Sequence, residues 1–315
     1  MKKIYYLCFT VTTIIVLFNS CEENQPPNCQ ITYPEDGTEF YIGETILITV
    51  DADDQDGNIS EVRFYINDIG VSSSNNFPYS YNWDTSTEED GIKTILVKAK
   101  DTEGSSTTDE ISIILNAVRG KFTDSRDSHD YEWVKIGDQI WMAENLAYLP
   151  SVNLRTNGSY TDPLFYVYGY TGTNINEAKA INNYVTYGVL YNWPSAMEAC
   201  PDGWHLPTDE EWETLIDYLG GTDVAGGKLK ETGTTHWMSP NYGATNETGF
   251  TALPGGARNG NGYFNYVGGG GYWWGATEHG AYGAWSRSIG CSSASVGRYG
   301  YYGEYGFSVR CVRDD

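Results

Sequence analysis

Basic side chains and histidine are scarce in this sequence. Its 315 residues hold 19 Lys+Arg against 42 Asp+Glu, and only four His. The deficit excludes a nucleic-acid binder that works by neutralising phosphates, which needs a basic face. It equally disfavours docking on anionic lipid through a polybasic patch. His129, His205, His236 and His279 show no metal-ligand spacing, and no Ser stands in a nucleophile elbow. Long apolar runs are missing too. The run from Ile4 to Phe18 would span about 22 Å as a helix, short of the ~30 Å hydrocarbon core. Preceded by Lys2 and Lys3, it reads as a secretory signal peptide over residues 1–20. What is abundant is acid and aromatic rings: the formal charge is −23, with 26 Tyr and 10 Trp. Apolar content of 40% argues against wholesale disorder.

Leu17-Phe18-Asn19-Ser20-Cys21 resembles a bacterial lipobox, which implies that Cys21 is lipidated and becomes the mature N-terminus. Lipid chains would hold the protein on a bilayer without spanning it; signal cleavage beside an incidental Cys is the other reading. Glu22-Glu23 resembles the acidic export tags of Bacteroidetes-type surface lipoproteins, so the expected location is the outer membrane, lipid-anchored and facing outward. Residues 21–27 then form an acidic tether.

The rest of the chain changes character near Asn116–Gly120. Residues 22–120 carry 20 acidic and 5 basic side chains and one Trp; residues 121–315 carry 22 and 12, and nine Trp. Gly divides 7 to 29 between them. In the first part, Thr45–Val50, Val62–Ile66, Ile92–Val97 and Ile111–Leu115 are β-branched or aromatic runs separated by turns such as Asp56-Gly57-Asn58. They predict an all-β sandwich over residues 28–118. Asp51 to Ile59 leading into Val62–Asn67 resembles bacterial immunoglobulin-like modules, which implies a spacer or adhesion role. Asp51, Asp53, Asp54 and Asp56 offer oxygen ligands for calcium. An acidic turn between strands is the alternative, because Val62 stands where an EF-hand has its bidentate Glu. No other cofactor is expected.

The second part carries Val134-Lys135-Ile136-Gly137-Asp138-Gln139-Ile140-Trp141-Met142-Ala143-Glu144-Asn145-Leu146, then Cys200-Pro201-Asp202-Gly203-Trp204-His205-Leu206-Pro207-Thr208. Thr248-Gly249-Phe250-Thr251-Ala252-Leu253-Pro254-Gly255-Gly256 follows, and the end is Phe307-Ser308-Val309-Arg310-Cys311-Val312-Arg313. In this order the motifs resemble the Fibrobacter succinogenes major paralogous domain over residues 119–315. The resemblance implies an α+β, C-type-lectin-like fold with two helices ahead of a loop-rich β half. It also implies a Cys200–Cys311 disulfide, leaving Cys29 and Cys291 as free thiols or as a pair. The architecture is related to formylglycine-generating enzymes, but Cys291 and Cys311 stand too far apart for their closely spaced copper-binding pair. The residues themselves predict one helix well. Thr208-Asp209-Glu210-Glu211 is a capping box, and Trp212, Leu215, Ile216 and Leu219 repeat at helical spacing before Gly220. Lys228–Glu231 lacks the strand–loop–helix context of a phosphate loop.

With no catalytic constellation in view, a non-enzymatic binder is expected. Trp273, Trp274, Trp285, Arg287, Arg298, Tyr299, Tyr301, Tyr302 and Tyr305 lie among Gly, Ser and Asn, the composition of antibody paratopes. These nine are the candidate ligand-binding residues, with core packing the competing reading for the tryptophans. An extracellular glycan is the favoured partner. A structural or adhesin subunit binding protein is the alternative, and a polysaccharide hydrolase the second, since carboxylates are plentiful.

Overall fold

The computed structural model describes residues 23–314. Residues 1–20, read above as a signal peptide, and Cys21 lie outside the described residues. Among the described residues, no helix is long and apolar enough to cross a membrane. The chain divides into two compact units between Ala117 and Val118.

The first unit is built from β1 (Asn28–Tyr33), β2 (Glu39–Tyr41), β3 (Thr45–Asp53), β4 (Ile59–Ile66), β5 (Ile69–Ser74), β6 (Tyr79–Asp84), β7 (Gly91–Asp101) and β8 (Ser106–Asn116). They form a β1-β3-β6 sheet and a β2-β8-β7-β4-β5 sheet. Pairing is antiparallel except between β2 and β8. Side chains alternate across a strand, so Ile46, Ile48 and Val50 turn inward from β3, Val62, Phe64 and Ile66 from β4, and Ile95, Val97 and Ala99 from β7. Together with Trp83 they make one core drawn from both sheets. This is an immunoglobulin-like sandwich. The short strands β1, β2, β5 and β6 carry few buried apolar residues, which is why composition alone does not mark them.

The second unit mixes helices with short strands. Its strands are β9 (Arg119–Asp124), β10 (His129–Ile136), β11 (Gln139–Met142), β12 (Phe165–Tyr166), β13 (Leu190–Tyr191), β14 (Trp204–His205), β15 (Ala257–Arg258), β16 (Phe264–Asn265), β17 (Gly270–Glu278), β18 (Gly283–Gly290), β19 (Val296–Tyr302) and β20 (Val312–Arg313). An antiparallel sheet in the order β14-β20-β11-β10-β9 joins the two ends of the unit. The Cys200–Cys311 disulfide fastens that closure across 111 residues of sequence; Cys29 and Cys291 are free.

Among the described residues of this unit there are five helices rather than two: α1 (Ile175–Lys179), α2 (Asn182–Tyr187), α3 (Trp193–Met197), α4 (Asp209–Tyr218) and α5 (Thr222–Leu229). In α4 both halves of the Thr208/Glu211 capping box are made, and Trp212, Leu215 and Ile216 are buried. α2 buries no residue and α1 only Ala178, so neither has an apolar stripe to read. α5 contains Gly226-Gly227, poor helix formers. A Cβ at Gly226 would strike the Ser295 carbonyl, and one at Gly227 the Gly243 carbonyl. Close backbone packing, not helix propensity, selects these glycines.

Three buried cations bind loops in this unit. Lys230 Nζ donates to the carbonyls of Tyr242, Gly290 and Ser293. Arg258 donates to those of Arg155, Asn157 and Glu304. Arg310 donates to those of Phe250, Thr251 and Met142 and to Asn145 Oδ1. Burial lowers the pKa of all three, that of Arg310 to about 9.

Candidate functional site

β17, β18 and β19 form an antiparallel sheet with β19 at one edge. A cleft of about 590 Å³ opens beside the β17–β18 turn, lined by His279, Tyr282, Gly300, Tyr301, Tyr302 and Tyr305 among others. Tyr282 and Tyr302 are 65% and 61% exposed. Gly300 is set by its neighbour: a Cβ there would collide with the His279 imidazole. That ring stacks on Trp285 with centroids 4.0 Å apart, and the Arg298 guanidinium lies 3.4 Å from the same indole centroid.

Tyr160 completes the cluster from a distant loop. Its ring centroid is 5.7 Å from that of Tyr282 and 6.3 Å from that of Tyr302. Buried Asn192 fixes this loop, its Nδ2 donating to the carbonyls of Ser159 and Asp162 at 3.0 and 2.8 Å. Arg258 joins the preceding residues to the turn after β19, through Arg155, Asn157 and Glu304. Local desolvation, then the hydrogen bond and charge of Glu304, push the Tyr160 hydroxyl up. Nothing in the sequence near Tyr160 marks it, because its partners are more than 100 residues away.

The candidate residues separate into three groups. Trp273 and Trp274 are fully buried and are corrected to core residues. Alternation on β17 sends them to opposite faces, and each face is covered, Trp273 joining the core around Trp141 and Phe250 and Trp274 the core around Tyr191 and Phe307. Their indole N–H groups donate to Asn145 Oδ1 and the Tyr191 carbonyl, which leaves no polar handle for a ligand. Arg287 is also buried, held by Asp209 at 2.7 Å. Arg298 makes a two-pronged contact with the same carboxylate. Burial alone would raise Asp209, but the hydrogen bonds and charges of Arg298 and Arg287 outweigh it and hold the carboxyl below its ordinary value. Both arginines therefore anchor the start of α4. Trp285, Tyr301 and Tyr305 are half-buried, with Tyr301 packed on Tyr305 and Phe307. Tyr299 and Tyr302 are the exposed members, at 54% and 61%.

The acidic turn of the sandwich also differs from expectation. Asp51 and Asp53 lie exposed on β3 and Asp56 lies exposed in the following turn, and none of the three joins a ligand set. Asp54 meets Asp101 and Glu103 instead. Desolvation, then neighbouring Asp56 and Asp101, push the Asp54 carboxyl up. Asp101 and Glu103 sit some fifty residues further along, so a reading of contiguous Asp residues misses them.

Comparison with curated proteins gives no match. Among solved structures, the chain is similar over parts of its length to the fibronectin(III)-like modules of Clostridium thermocellum CbhA, at 28% identity over 33% of this chain and 50% of that one, TM-score 0.27. It is also similar to a carbohydrate-binding module of the β-sandwich superfamily, at 16% identity over 46% and 48%, TM-score 0.28. A third is SGBP-B of the Bacteroides ovatus mixed-linkage glucan utilization locus, solved with a mixed-linkage heptasaccharide, at 15% identity over 48% and 39%, TM-score 0.23. The chain spans half or less of each of these structures. Residues 27–97 match the bacterial Ig domain, as the sandwich leads one to expect. Residues 134–313, more than half of the sequence, match the Fibrobacter succinogenes major domain, and the chain belongs to that family.

Proposed function

We propose that the protein is a lipid-anchored, surface-exposed lipoprotein that binds an extracellular glycan through its C-terminal, C-type-lectin-like unit. The immunoglobulin-like unit serves as a spacer above the membrane, to which Cys21 attaches. The observation that carries this reading is the cleft lined by Tyr282 and Tyr302, with Tyr160 packed beside both, whose rings stand exposed on a framework of buried cations and backbone bonds. Rigid tyrosines offer flat apolar faces at small entropic cost, and their hydroxyls exchange hydrogen bonds with a polyhydroxylated ligand. Large exposed aromatic patches are rare on proteins without a use for them.

Glycan-array screening of the purified protein, followed by calorimetry on the best ligand, tests the proposal. Saturable binding that Tyr302→Ala and Tyr282→Ala each weaken about tenfold or more is expected, about 1.4 kcal/mol per tenfold. Saturable binding to a protein partner with no glycan hit would favour an adhesin subunit instead. Polysaccharide turnover abolished by a single carboxylate substitution would establish a hydrolase.

A further inference from the structure

We propose that Asp54, Asp101 and Glu103 form a calcium site at one end of the immunoglobulin-like sandwich. Asp54 follows β3, Asp101 ends β7, and Glu103 lies in the turn from β7 to β8. One ligand oxygen from each falls within 4.8 Å of the others, the span that a single Ca²⁺ covers at about 2.3–2.6 Å from each oxygen.

The cluster is more than a gathering of surface acids. Both carboxylate oxygens of Asp54 are shut off from solvent, and neither accepts a hydrogen bond. Taking the oxygens of this half-buried carboxylate out of water is costly, and the backbone of neighbouring Asp56 offsets that cost only in part. The sandwich's salt bridges, Arg63–Glu61 and Lys93–Glu88, involve none of the three acids. Asp101 is itself buried and already fixed. Its Oδ1 accepts from the Gly104 and Ser105 amides, and its Oδ2 from Asn24 Nδ2 at 3.0 Å. Those bonds orient the carboxylate and leave lone pairs for a cation. Gly57 closes over the group: a Cβ there would sit 2.6 Å from Glu103 Oε2 and 2.7 Å from Asp54 Oδ2.

The ligand atoms are all carboxylate oxygens, with no His or Cys among them, which selects a hard cation over zinc or copper. Calcium accepts six to eight oxygens in flexible geometry, whereas magnesium demands a near-ideal octahedron. Ligands from two separate loops suit calcium. The chain leaving the tether is fastened to the same place, by Asn24 on Asp101 and by the Gln25 amide on Asp56 at 3.0 Å. Bound calcium would thus stiffen the point where the sandwich meets its tether.

Calorimetric titration of the full chain with CaCl₂ after chelator treatment tests the site, together with thermal melts in chelator and in calcium. One saturable event is expected in the ~10⁻⁴–10⁻³ M range of extracellular modules. The midpoint of the sandwich should rise about 5–10 °C at roughly ten times the dissociation constant. Asp54→Asn should abolish the calcium response while raising the calcium-free midpoint, because it removes the unpartnered charge. Glu103→Gln, at a more exposed position, should weaken binding about tenfold, and Asp51→Asn with Asp53→Asn should leave it unchanged. Absence of a saturable event in the unaltered chain would overturn the proposal, as would retention of binding by Asp54→Asn. Equal affinity for MgCl₂ would overturn the assignment to calcium.

Discussion

The sandwich buries Ile46, Ile48 and Val50 by one alternation along β3, whereas the C-terminal unit buries Trp273 and Trp274 side by side on β17, each in a different core. In the first unit many similar apolar side chains share the load, and any one could be exchanged for another of like volume. In the second, single groups hold whole loops: one disulfide, three buried cations, and glycines at which backbones touch. A structure of the second kind can carry long irregular segments, and those segments present the tyrosines. It is correspondingly exposed to single-point failure.

The largest expected effect is at the Cys200–Cys311 bond. In the chain-entropy model, releasing a loop of this length costs up to ~4–5 kcal/mol. Reductant should therefore lower the C-terminal melting transition sharply and leave that of the sandwich, whose Cys29 is free, in place. Differential calorimetry with and without reductant checks this. If both transitions move together, the two units do not unfold independently and the contrast between them fails.

Next comes Arg310→Met. Methionine nearly fills the space but removes the guanidinium donor from the carbonyls of Phe250, Thr251 and Met142, while Asn145 Oδ1 keeps the Trp273 indole N–H. At ~1–3 kcal/mol for each buried group left unsatisfied, a loss of about 3–5 kcal/mol is expected in denaturant unfolding. Ile48→Ala in the sandwich should cost about 2–4 kcal/mol through its cavity. Apolar replacement of some buried charges is neutral. A neutral Arg310→Met would mean that the cation is tolerated in the core, not needed there.

The same contrast explains what could be read from the sequence. The central strands of the sandwich and α4 announce themselves, because period-two and period-3.6 burial leaves a local pattern. Trp273-Trp274 could not be assigned to surface or core locally, since a strand covered on both faces has no polar side. Asn192, Arg258 and Tyr160 were silent for another reason: each acts on residues distant in sequence. Of the acidic cluster, Asp54 stands in a turn visibly rich in aspartate, whereas Asp101 is distant in sequence and is brought opposite Ile59 by β4–β7 pairing. Of the aromatic site, the band around Tyr299–Tyr305 was visible as composition. Which rings face outward was decided by pairing register and by Gly300.

A smaller effect should separate binding from folding. Tyr302→Ala removes a ring that is mostly solvent-exposed, so stability should change by less than about 0.5 kcal/mol while glycan affinity falls about tenfold or more. Ile48→Ala should do the opposite, lowering the sandwich transition without changing affinity. Loss of affinity in Ile48→Ala at a temperature where both units remain folded would show that the sandwich contributes to the site.

The smallest effect lies at His205, whose Nδ1 is 2.6 Å from Asp314 Oδ1 and whose Nε2 is 2.7 Å from Glu211 Oε1. Burial alone would lower its pKa, but the two carboxylates outweigh burial and raise it. A raised folded value means that the imidazolium's contribution is fully present below the unfolded value of about 6.5. It is then lost as pH rises through the folded value. The side chain is 40% exposed, so solvent screening limits the effect to a few tenths of a kcal/mol. All four histidines lie in the C-terminal unit, which makes the sandwich an internal reference. Between about pH 6 and 8, below the range where the burial-raised Cys29 thiol of the sandwich matters, the C-terminal transition should fall slightly while the sandwich transition stays flat, and His205→Gln should remove the difference. A slope that survives His205→Gln would assign it to another group and leave the Asp314–His205–Glu211 bridge without a role in stability.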